Sequence, residues 1–260
     1  MGKTKIGNAG RHCKRRLIAS VSTITLTALT VDGRMARDAF ASDECGPALT
    51  ERLSCTQQNY PNGITYDAVQ DSLIVQLDNP DMVVDTGIAL SAATGAKAAL
   101  SLDMDAFSTI NGDVSVSSDL WAAELYLTAP TLTTVSGTVS VSSNHDLAYV
   151  SLTGPTRISG PVSAVSKGNQ AEVTVNGLLE IENTVTAYVK EVAQTAAVNF
   201  WGGYIRGPDT SAGGPNAYIY ASSDYGDAVV SISQSSIPTQ LDANSSSANA
   251  VLADGYNNAI

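Results

Sequence analysis

The feature that most constrains this chain is a repeat with a period of 23 to 25 residues. Residues 110–130 read INGDVSVSSDLWAAELYLTAP, and residues 135–155 read VSGTVSVSSNHDLAYVSLTGP. Glycines, alternating valines, paired serines and a Leu/Val pair recur in both stretches, each 25 positions apart. A more degenerate copy follows at an offset of 23, from Gly160 to Val175. A fixed period of this length is typical of solenoids, in which each repeat is one coil and cannot bury its apolar side alone.

Each copy contains short alternating segments such as VSV, LYL and VTV, which indicate β-strands with one buried face. Stacked coils place equivalent residues about 4.8 Å apart, so each coil is expected to add one residue to an inward column. The predicted column is Leu102, Leu127, Leu152 and Val175. The sequence therefore predicts an all-β fold, a single-stranded right-handed β-helix (β-solenoid) with 23–25 residues per coil. A β-sandwich and a leucine-rich-repeat-like solenoid are the alternatives.

The first 41 residues have the order of a secretory signal peptide. Residues 1–16 carry six basic side chains, residues 17–31 are uncharged, and an Ala-Phe-Ala pattern precedes Ser42. We expect cleavage before Ser42 and an exported protein, at the cell surface or outside the cell. The uncharged stretch is short for a membrane span, and we expect no membrane insertion by the mature part. A weak membrane anchor or a misassigned start codon is the alternative interpretation.

Composition narrows the classes of function. The chain has 14 basic and 25 acidic residues, a net charge of −11. Removal of residues 1–41 takes away eight basic and two acidic residues, which leaves 6 against 23 and a net charge of −17. Such a surface repels nucleic acid and anionic lipid, so nucleic acid is not expected as a partner. A mean hydropathy of +0.03, with Val, Leu and Ile throughout, argues against extended disorder.

Two cysteines remain after the predicted cleavage, Cys45 and Cys55, with nine residues between them. An even pair in an exported chain predicts a disulfide. We therefore interpret residues 42–75 as an N-terminal capping segment with a disulfide, and residues 76–260 as the β-helix domain. A metal site is the other interpretation; it is disfavoured because His145, the only histidine after residue 41, lies far along the chain.

The segment from Cys55 to Asp103 begins CTQQNYPNGITYDAVQ and contains the phrase GIALSAATG at residues 87–95. It resembles the opening of passenger domains in bacterial autotransporters of the pertactin or pectin-lyase-like β-helix type. The resemblance covers residues 42–260 in style, and it implies an exported passenger domain that acts in adhesion or display. Complete family members end in a membrane barrel of alternating strands. Residues 257–260 read NNAI, so we expect an N-terminal passenger region that lacks the barrel.

No catalytic, cofactor-binding or metal residue is predicted, because the sequence has no Gly-x-Ser-x-Gly, P-loop, zinc-protease or Cys-x-x-Cys motif. A Ser/His/Asp triad would require His145, which is interpreted as an exposed turn residue. A carbohydrate-active β-helix enzyme remains an alternative. It would need clustered carboxylates with a basic or calcium partner, for which Asp103, Asp105, Asp113 and Arg157 are weak candidates.

A calcium loop is a further weak candidate. Asp78, Asp81 and Asp85 lie in LDNPDMVVD, but their spacing is not that of an EF-hand. A solvated turn is the preferred interpretation.

Residues 201–226 read WGGYIRGPDTSAGGPNAYIYASSDYG, a Gly/Pro-rich and aromatic stretch that indicates a loop leaving the solenoid. Exposed aromatic rings can stack on sugars or anchor a partner. The candidate ligand-contact aromatics are Trp201, Tyr204, Tyr218 and Tyr220. In the alternative interpretation, Tyr218 and Tyr220 are ladder residues and Trp201 fills a corner of a coil.

We therefore expect an exported, non-enzymatic β-helical protein whose partners are host or environmental surface glycans or proteins, without a cofactor. A solenoid fits this task because it extends with each coil, tolerates outer loops and needs no pocket. The alternatives are the carbohydrate-active enzyme and a truncated passenger remnant, which would expose apolar edges at residues 229–260.

Overall fold

The structure is a computed structural model that describes residues 45–46, 52–67, 73–77, 79, 81–92, 97–104, 108–177, 179–206, 219–233, 239–242 and 251–255. These residues belong to one compact unit, Phe40–Ile260. They form β-strands joined by turns, with no helix among them. The predicted signal peptide, residues 1–41, lies outside the described residues.

The strands, numbered in chain order, form three parallel sheets of eight strands each among the described residues. Sheet 1 contains β1 (Arg52–Cys55), β4 (Leu73–Leu77), β7 (Ala98–Met104), β10 (Ala123–Thr128), β13 (Ala148–Thr153), β16 (Ala171–Asn176), β19 (Ala196–Trp201) and β22 (Ala228–Ile232). Sheet 2 contains β2 (Asn59–Tyr60), β5 (Met82–Val84), β8 (Ser108–Ile110), β11 (Thr133–Val135), β14 (Thr156–Ile158), β17 (Leu179–Ile181), β20 (Gly203–Arg206) and β23 (Thr239–Asp242). Sheet 3 contains β3 (Ile64–Asp67), β6 (Gly87–Ala92), β9 (Asp113–Ser118), β12 (Val139–Ser143), β15 (Val162–Ser166), β18 (Val185–Val189), β21 (Ile219–Ser223) and β24 (Val251–Gly255).

Consecutive strands visit sheet 1, sheet 2 and sheet 3 in turn and then return to sheet 1. Three consecutive strands therefore make one coil, and the described residues contain eight coils, numbered 1 to 8. Every strand pairs in parallel with the equivalent strand of the next coil, as β10 does with β13. The predicted β-solenoid is confirmed. Its right-handed sense stays a prediction.

The interior is built from columns of apolar side chains. Leu127 pairs in register with Leu102 on one side and with Leu152 on the other, as the repeat predicted. The whole column is Leu53, Val75, Leu102, Leu127, Leu152, Val175, Phe200 and Ile232. The first seven side chains are at most 5% exposed, and all of these except Leu53 of the first coil have a register partner in the coil on each side. This burial of apolar surface is the main force that holds the coils together.

Glycines recur where the chain turns from sheet 2 to sheet 3. A Cβ atom on Gly137 would lie 2.5 Å from the carbonyl carbon of Gly112, and one on Gly160 would lie 2.4 Å from the carbonyl oxygen of Gly137. The backbones of successive turns approach so closely that only glycine fits. This contact explains the glycines of the sequence repeat.

Buried serines link the turns between sheet 3 and the next coil. The Ser143 hydroxyl accepts a hydrogen bond from the backbone N–H of Asp146 (3.0 Å) and donates one to the carbonyl oxygen of Trp121 (2.9 Å). The Ser166 hydroxyl accepts from Asn169 N–H (2.9 Å) and donates to the carbonyl of Asp146 (2.7 Å). Each serine thus shapes its own turn and ties it to the turn of the preceding coil.

Coil length varies at the two ends of the solenoid. The residues paired in sheet 1 are 25 or 23 positions apart through the central coils. Phe200 and Ile232 are 32 apart, because β20 ends at Arg206 and β21 begins at Ile219. Residues 201–226 were predicted to leave the solenoid as a loop, but residues 203–206 form β20 and residues 219–223 form β21, which pair with the preceding coil. Residues 207–218 lie outside the described residues. The last described coil leaves Ile232 42% exposed, within the region 229–260 where the truncated-remnant alternative expected an exposed apolar edge.

The first coil carries the disulfide between Cys45 and Cys55. The Tyr66 hydroxyl adds to this contact, since it donates to the carbonyl of Gly46 (2.9 Å) and accepts from Cys45 N–H (3.3 Å). Coil 1, residues 52–67, therefore lies inside the segment interpreted as a cap. The strand β4 crosses the proposed boundary between residues 75 and 76, so the stacking continues across that boundary.

Candidate functional site

The outer face of sheet 1 brings polar and aromatic side chains into register across coils 4 to 7. Alternation along β10, β13 and β16 places Glu124, Tyr149 and Glu172 in one outward column. The neighbouring outward column is Tyr126, Ser151, Thr174 and Asn199. We call Glu124, Tyr126, Tyr149, Glu172, Thr174 and Asn199 the tyrosine–glutamate patch.

Glu124 is the most enclosed charged group of the patch, with 10% of its side chain exposed. The Lys97 ammonium lies 2.7 Å from Glu124 Oε2, and the Tyr126 hydroxyl donates a hydrogen bond of 2.9 Å to the same oxygen. These two partners offset the cost of removing the carboxylate from water. Burial raises the pKa of Tyr126 well above its usual value, and the hydrogen bond to Glu124 and its negative charge raise it further. Tyr126 is therefore a fixed hydrogen-bond donor.

Two tyrosine rings make up the aromatic part of the patch. The centroids of Tyr126 and Tyr149 lie 5.5 Å apart with the ring planes tilted by 58°. This separation and tilt are those of an aromatic pair in favourable contact. Tyr126 remains 37% exposed, so its ring is held in place while part of its surface faces solvent.

Glu172 continues the column on the far side of Tyr149. Its Oε1 atom accepts hydrogen bonds from Asn199 Nδ2 (2.8 Å) and from the Thr174 hydroxyl (3.1 Å). The carboxylate is thus oriented by neutral donors. It retains lone pairs that can accept hydrogen bonds from a ligand.

The arrangement offers aromatic surface beside fixed carboxylate and amide groups. Such a combination suits recognition of a molecule that has both apolar faces and hydroxyl groups. The side chains are preorganised by their mutual hydrogen bonds, which lowers the entropic cost of binding.

The four predicted ligand-contact aromatics are distributed over different sheets. Trp201 ends β19 on the outer side of sheet 1, where it is 40% exposed and pairs in register with Asn176. Tyr204 lies in β20 of sheet 2, and Tyr220 lies in β21 of sheet 3, where it is partly buried. Tyr218 lies outside the described residues. Of these, Trp201 shares a face with the tyrosine–glutamate patch.

The residues considered for an enzyme do not come from one face either. Asp103 lies in β7 of sheet 1, whereas Arg157 lies in β14 of sheet 2; Asp105 lies outside the described residues. Arg157 is ion-paired with Glu182 and lies 3.8 Å from Glu180 Oε2. Both glutamates raise the pKa of Arg157, Glu182 most strongly through its hydrogen bond.

Asp113 begins β9, and its carboxylate is bonded to the turn of the next coil rather than to a cluster of acids. Its Oδ1 atom accepts a hydrogen bond of 2.7 Å from the backbone N–H of Thr138. The Asp85 carboxylate is hydrogen-bonded in a similar way, since its Oδ1 atom accepts a hydrogen bond of 3.0 Å from Asn111 Nδ2. Asp78 lies outside the described residues, and Asp81 has a positive φ of 56° in a turn. The part of the chain that the structure describes holds no group of three or more His, Cys, Asp or Glu arranged for a metal ion.

His145 lies where the sequence placed it, in an exposed turn between β12 and β13. Its turn is covered by the next coil, because a Cβ atom on Gly168 would lie 2.4 Å from the Cα atom of His145.

The glutamates and tyrosines of the patch were not predicted as site residues from the sequence. The segments AELYLT, AYVSLT and AEVTVN align at offsets of 25 and 23, and this alignment already contains the column Glu124, Tyr149, Glu172. The apolar positions of these segments indicated the strands. The polar positions that alternate with the apolar ones also stack from coil to coil, and their alignment would have indicated the patch.

No protein-family model matches the chain, and no match was found among curated proteins or solved structures. Among the described residues, none forms a helix long and apolar enough to cross a membrane. The functional assignment therefore depends on the geometry of the chain itself.

Proposed function

We propose that the chain is an exported, non-enzymatic β-solenoid of the bacterial autotransporter passenger type, which serves adhesion or display at the cell surface or outside the cell. The observation that carries the proposal is the continuous outer face of sheet 1, on which stacked coils hold the tyrosine–glutamate patch in fixed geometry. A face of this kind contacts an extended partner without a cleft.

Export is supported by the disulfide in coil 1. Disulfides form and persist mainly in oxidising compartments, and the bond joins Cys45 to Cys55 immediately after the expected cleavage site. The third cysteine, Cys13, belongs to the predicted signal peptide and would be removed with it.

Expression of the full chain in a Gram-negative bacterium tests the proposal. We expect the exported protein to begin at Ser42, as read by N-terminal sequencing, and to be shaved from intact cells by an added protease. We also expect cells that display it to adhere to a host or environmental surface better than cells without it. Retention in the cytoplasm with Met1 intact and both cysteines reduced would refute the export.

A second candidate function, glycoside hydrolysis, is favoured by one observation. Glu124 and Glu172 face outward from the same column two coils apart, about 10 Å between backbone positions. Carboxyl groups about 6.5–9.5 Å apart occur in inverting glycosidases. Tyr149 lies between the two glutamates in register, and Glu124 is engaged by Lys97, which favours binding over catalysis. Release of reducing ends from a neutral oligosaccharide, abolished by Glu172→Gln, would support hydrolysis instead.

A further inference from the structure

We infer that the tyrosine–glutamate patch and Trp201 form a binding site for an uncharged, hydroxyl-rich glycan that lies across the outer face of sheet 1. This inference rests on the proposed function and specifies its ligand. It is argued from the shape of the face, from its polar groups and from its charge.

The rings lie in three outward columns of sheet 1, since Trp201 is in register with Asn176, two strand positions from the column of Tyr126 and four from that of Tyr149. Tyr126 belongs to coil 4, Tyr149 to coil 5 and Trp201 to coil 7. Tyr126 and Trp201 are three coils and two strand positions apart, roughly 16 Å between backbone positions, enough for a short run of sugar rings. Tyr126 and Trp201 keep 37% and 40% of their surfaces exposed. Their rings can stack on the apolar faces of sugars, and their positions are fixed by the sheet.

The polar groups between these rings suit hydroxyls. Glu172 offers carboxylate lone pairs, and its orientation is set by Asn199 and Thr174. The outward positions that flank the tyrosines along β10 and β13 are Thr128, Ser151 and Thr153. Hydroxyl groups both donate and accept hydrogen bonds, so these residues can pair with the hydroxyls of a sugar.

The charge of the patch selects against acidic glycans. Two carboxylates, Glu124 and Glu172, face outward, and the Lys97 ammonium beside them already contacts Glu124 at 2.7 Å. A uronate or sulfate group would meet Glu172 without a cation of the patch to receive it. The net charge of the chain, −11, adds to this repulsion.

The test uses the purified full chain on an array of neutral gluco-, manno- and galacto-oligosaccharides, with oligogalacturonate and a sulfated oligosaccharide alongside. The strongest neutral ligand is then titrated by calorimetry. We expect binding to a neutral oligosaccharide and at least tenfold weaker binding to both acidic probes.

Variants then locate the site. Tyr149→Ala should weaken binding of the neutral ligand about tenfold, the effect of losing an interface aromatic, whereas Tyr149→Phe should retain it. The control is Tyr188→Ala, since Tyr188 is an outward tyrosine on a different sheet, sheet 3, where its hydroxyl donates to Asp224. It should leave affinity unchanged. Circular dichroism and thermal midpoints establish that each variant is folded.

The role of Glu172 separates a neutral ligand from a cationic one. Glu172→Gln keeps an acceptor oxygen and should weaken binding by less than threefold, while Glu172→Ala should weaken it about tenfold. If glutamine were as damaging as alanine, charge would be the attraction and the ligand would be cationic, which overturns the inference.

Three further outcomes overturn it: no neutral oligosaccharide binds, an acidic probe binds as tightly, or folded Tyr149→Ala binds as well as the unmodified chain. Protease shaving of intact cells is measured separately. A surface-exposed, adhesive chain that binds no glycan would defeat this inference alone, whereas a chain that is never exported would defeat the proposed function.

Discussion

Buried hydroxyl groups have opposite energetic roles at two corners of the coils. The Ser166 hydroxyl is fully buried and makes two hydrogen bonds across a turn. The hydroxyls of Thr133 and Thr156 are buried at the start of sheet 2 strands, and they have no hydrogen-bond partner among the described residues. A satisfied buried hydroxyl stabilises a fold modestly, whereas an unsatisfied one costs free energy.

A pair of substitutions tests this difference. Ser166→Ala should lower the free energy of unfolding by about 2 kcal/mol, because it leaves a turn N–H and a carbonyl without their partner. Thr156→Val preserves shape, removes an unpaired hydroxyl and should raise it by about 1 kcal/mol. Urea denaturation measures both. Equal losses in the two variants would contradict the assignment of their hydrogen bonds.

Tyr188 makes a second residue-scale prediction. Its hydroxyl donates to Asp224 Oδ1 at 2.8 Å; this hydrogen bond, followed by burial and nearby negative charge, raises the pKa of Tyr188 to about 12 from 10.0. The folded chain therefore keeps a proton that the unfolded chain loses. The resulting contribution to stability is complete below pH 10 and is lost as the pH rises through about 12.

The ultraviolet absorption of phenolate measures this titration. The difference in absorption between the unmodified chain and Tyr188→Phe, followed against pH, isolates the titration of Tyr188 and should show a step near pH 12. Asp224→Asn should move that step toward pH 10. A step near pH 10 in the unmodified chain would mean that the hydrogen bond to Asp224 is weak in solution.

At the scale of the strand, the longer strands could be predicted from the sequence and the shortest could not. The strands of sheets 1 and 3 have enough residues to display alternation, as VSVSS does in β12, and their columns were predicted from the sequence. The central strands of sheet 2 have three residues, such as Thr133–Val135. Three residues carry too little pattern to be distinguished from a turn. The sequence therefore left two or three strands per repeat open, and the strands of sheet 2 were not assigned from it.

The candidate site was predicted only in part for a related reason. Trp201 and Tyr220 are close in sequence, but the chain passes through sheet 2 between them and they face out from different sheets. Tyr126 and Tyr149 are far apart in sequence, yet they lie on adjacent strands. In a solenoid, residues one coil apart are neighbours, while residues a few positions apart across a corner are not.

The interior column predicts that truncating a side chain costs more stability in an inner coil than in the last described coil. Phe200 in β19 is fully buried, whereas Ile232, its register partner in β22, is 42% exposed. Phe200→Ala should therefore lower the free energy of unfolding by about 3–5 kcal/mol, and Ile232→Ala by about 1 kcal/mol or less. Chemical denaturation of the two variants makes the comparison. Similar losses would mean that another segment covers Ile232 in solution.

At the scale of the whole molecule, the disulfide joins the segment at Cys45 covalently to β1 of the first coil and stabilises the fold. The bond closes a loop between residues ten positions apart, for which loss of chain entropy in the unfolded state predicts about 2–3 kcal/mol of stabilisation. Reduction with dithiothreitol should lower the free energy of unfolding by this amount. The double variant Cys45→Ala and Cys55→Ala, which has no bond to reduce, is the control. If the reductant lowered the free energy of unfolding equally in both proteins, the loss would not come from the disulfide.

The twelve residues between Arg206 and Ile219 enter at a corner, and β22 still pairs with β19 in phase. One residue gained inside a strand would instead turn every following side chain of that strand inside out. The position of an insertion therefore decides its effect on such a chain. Corners can take up extra residues, whereas one residue added within a strand displaces every column that follows in it, so added ordered length comes as whole windings.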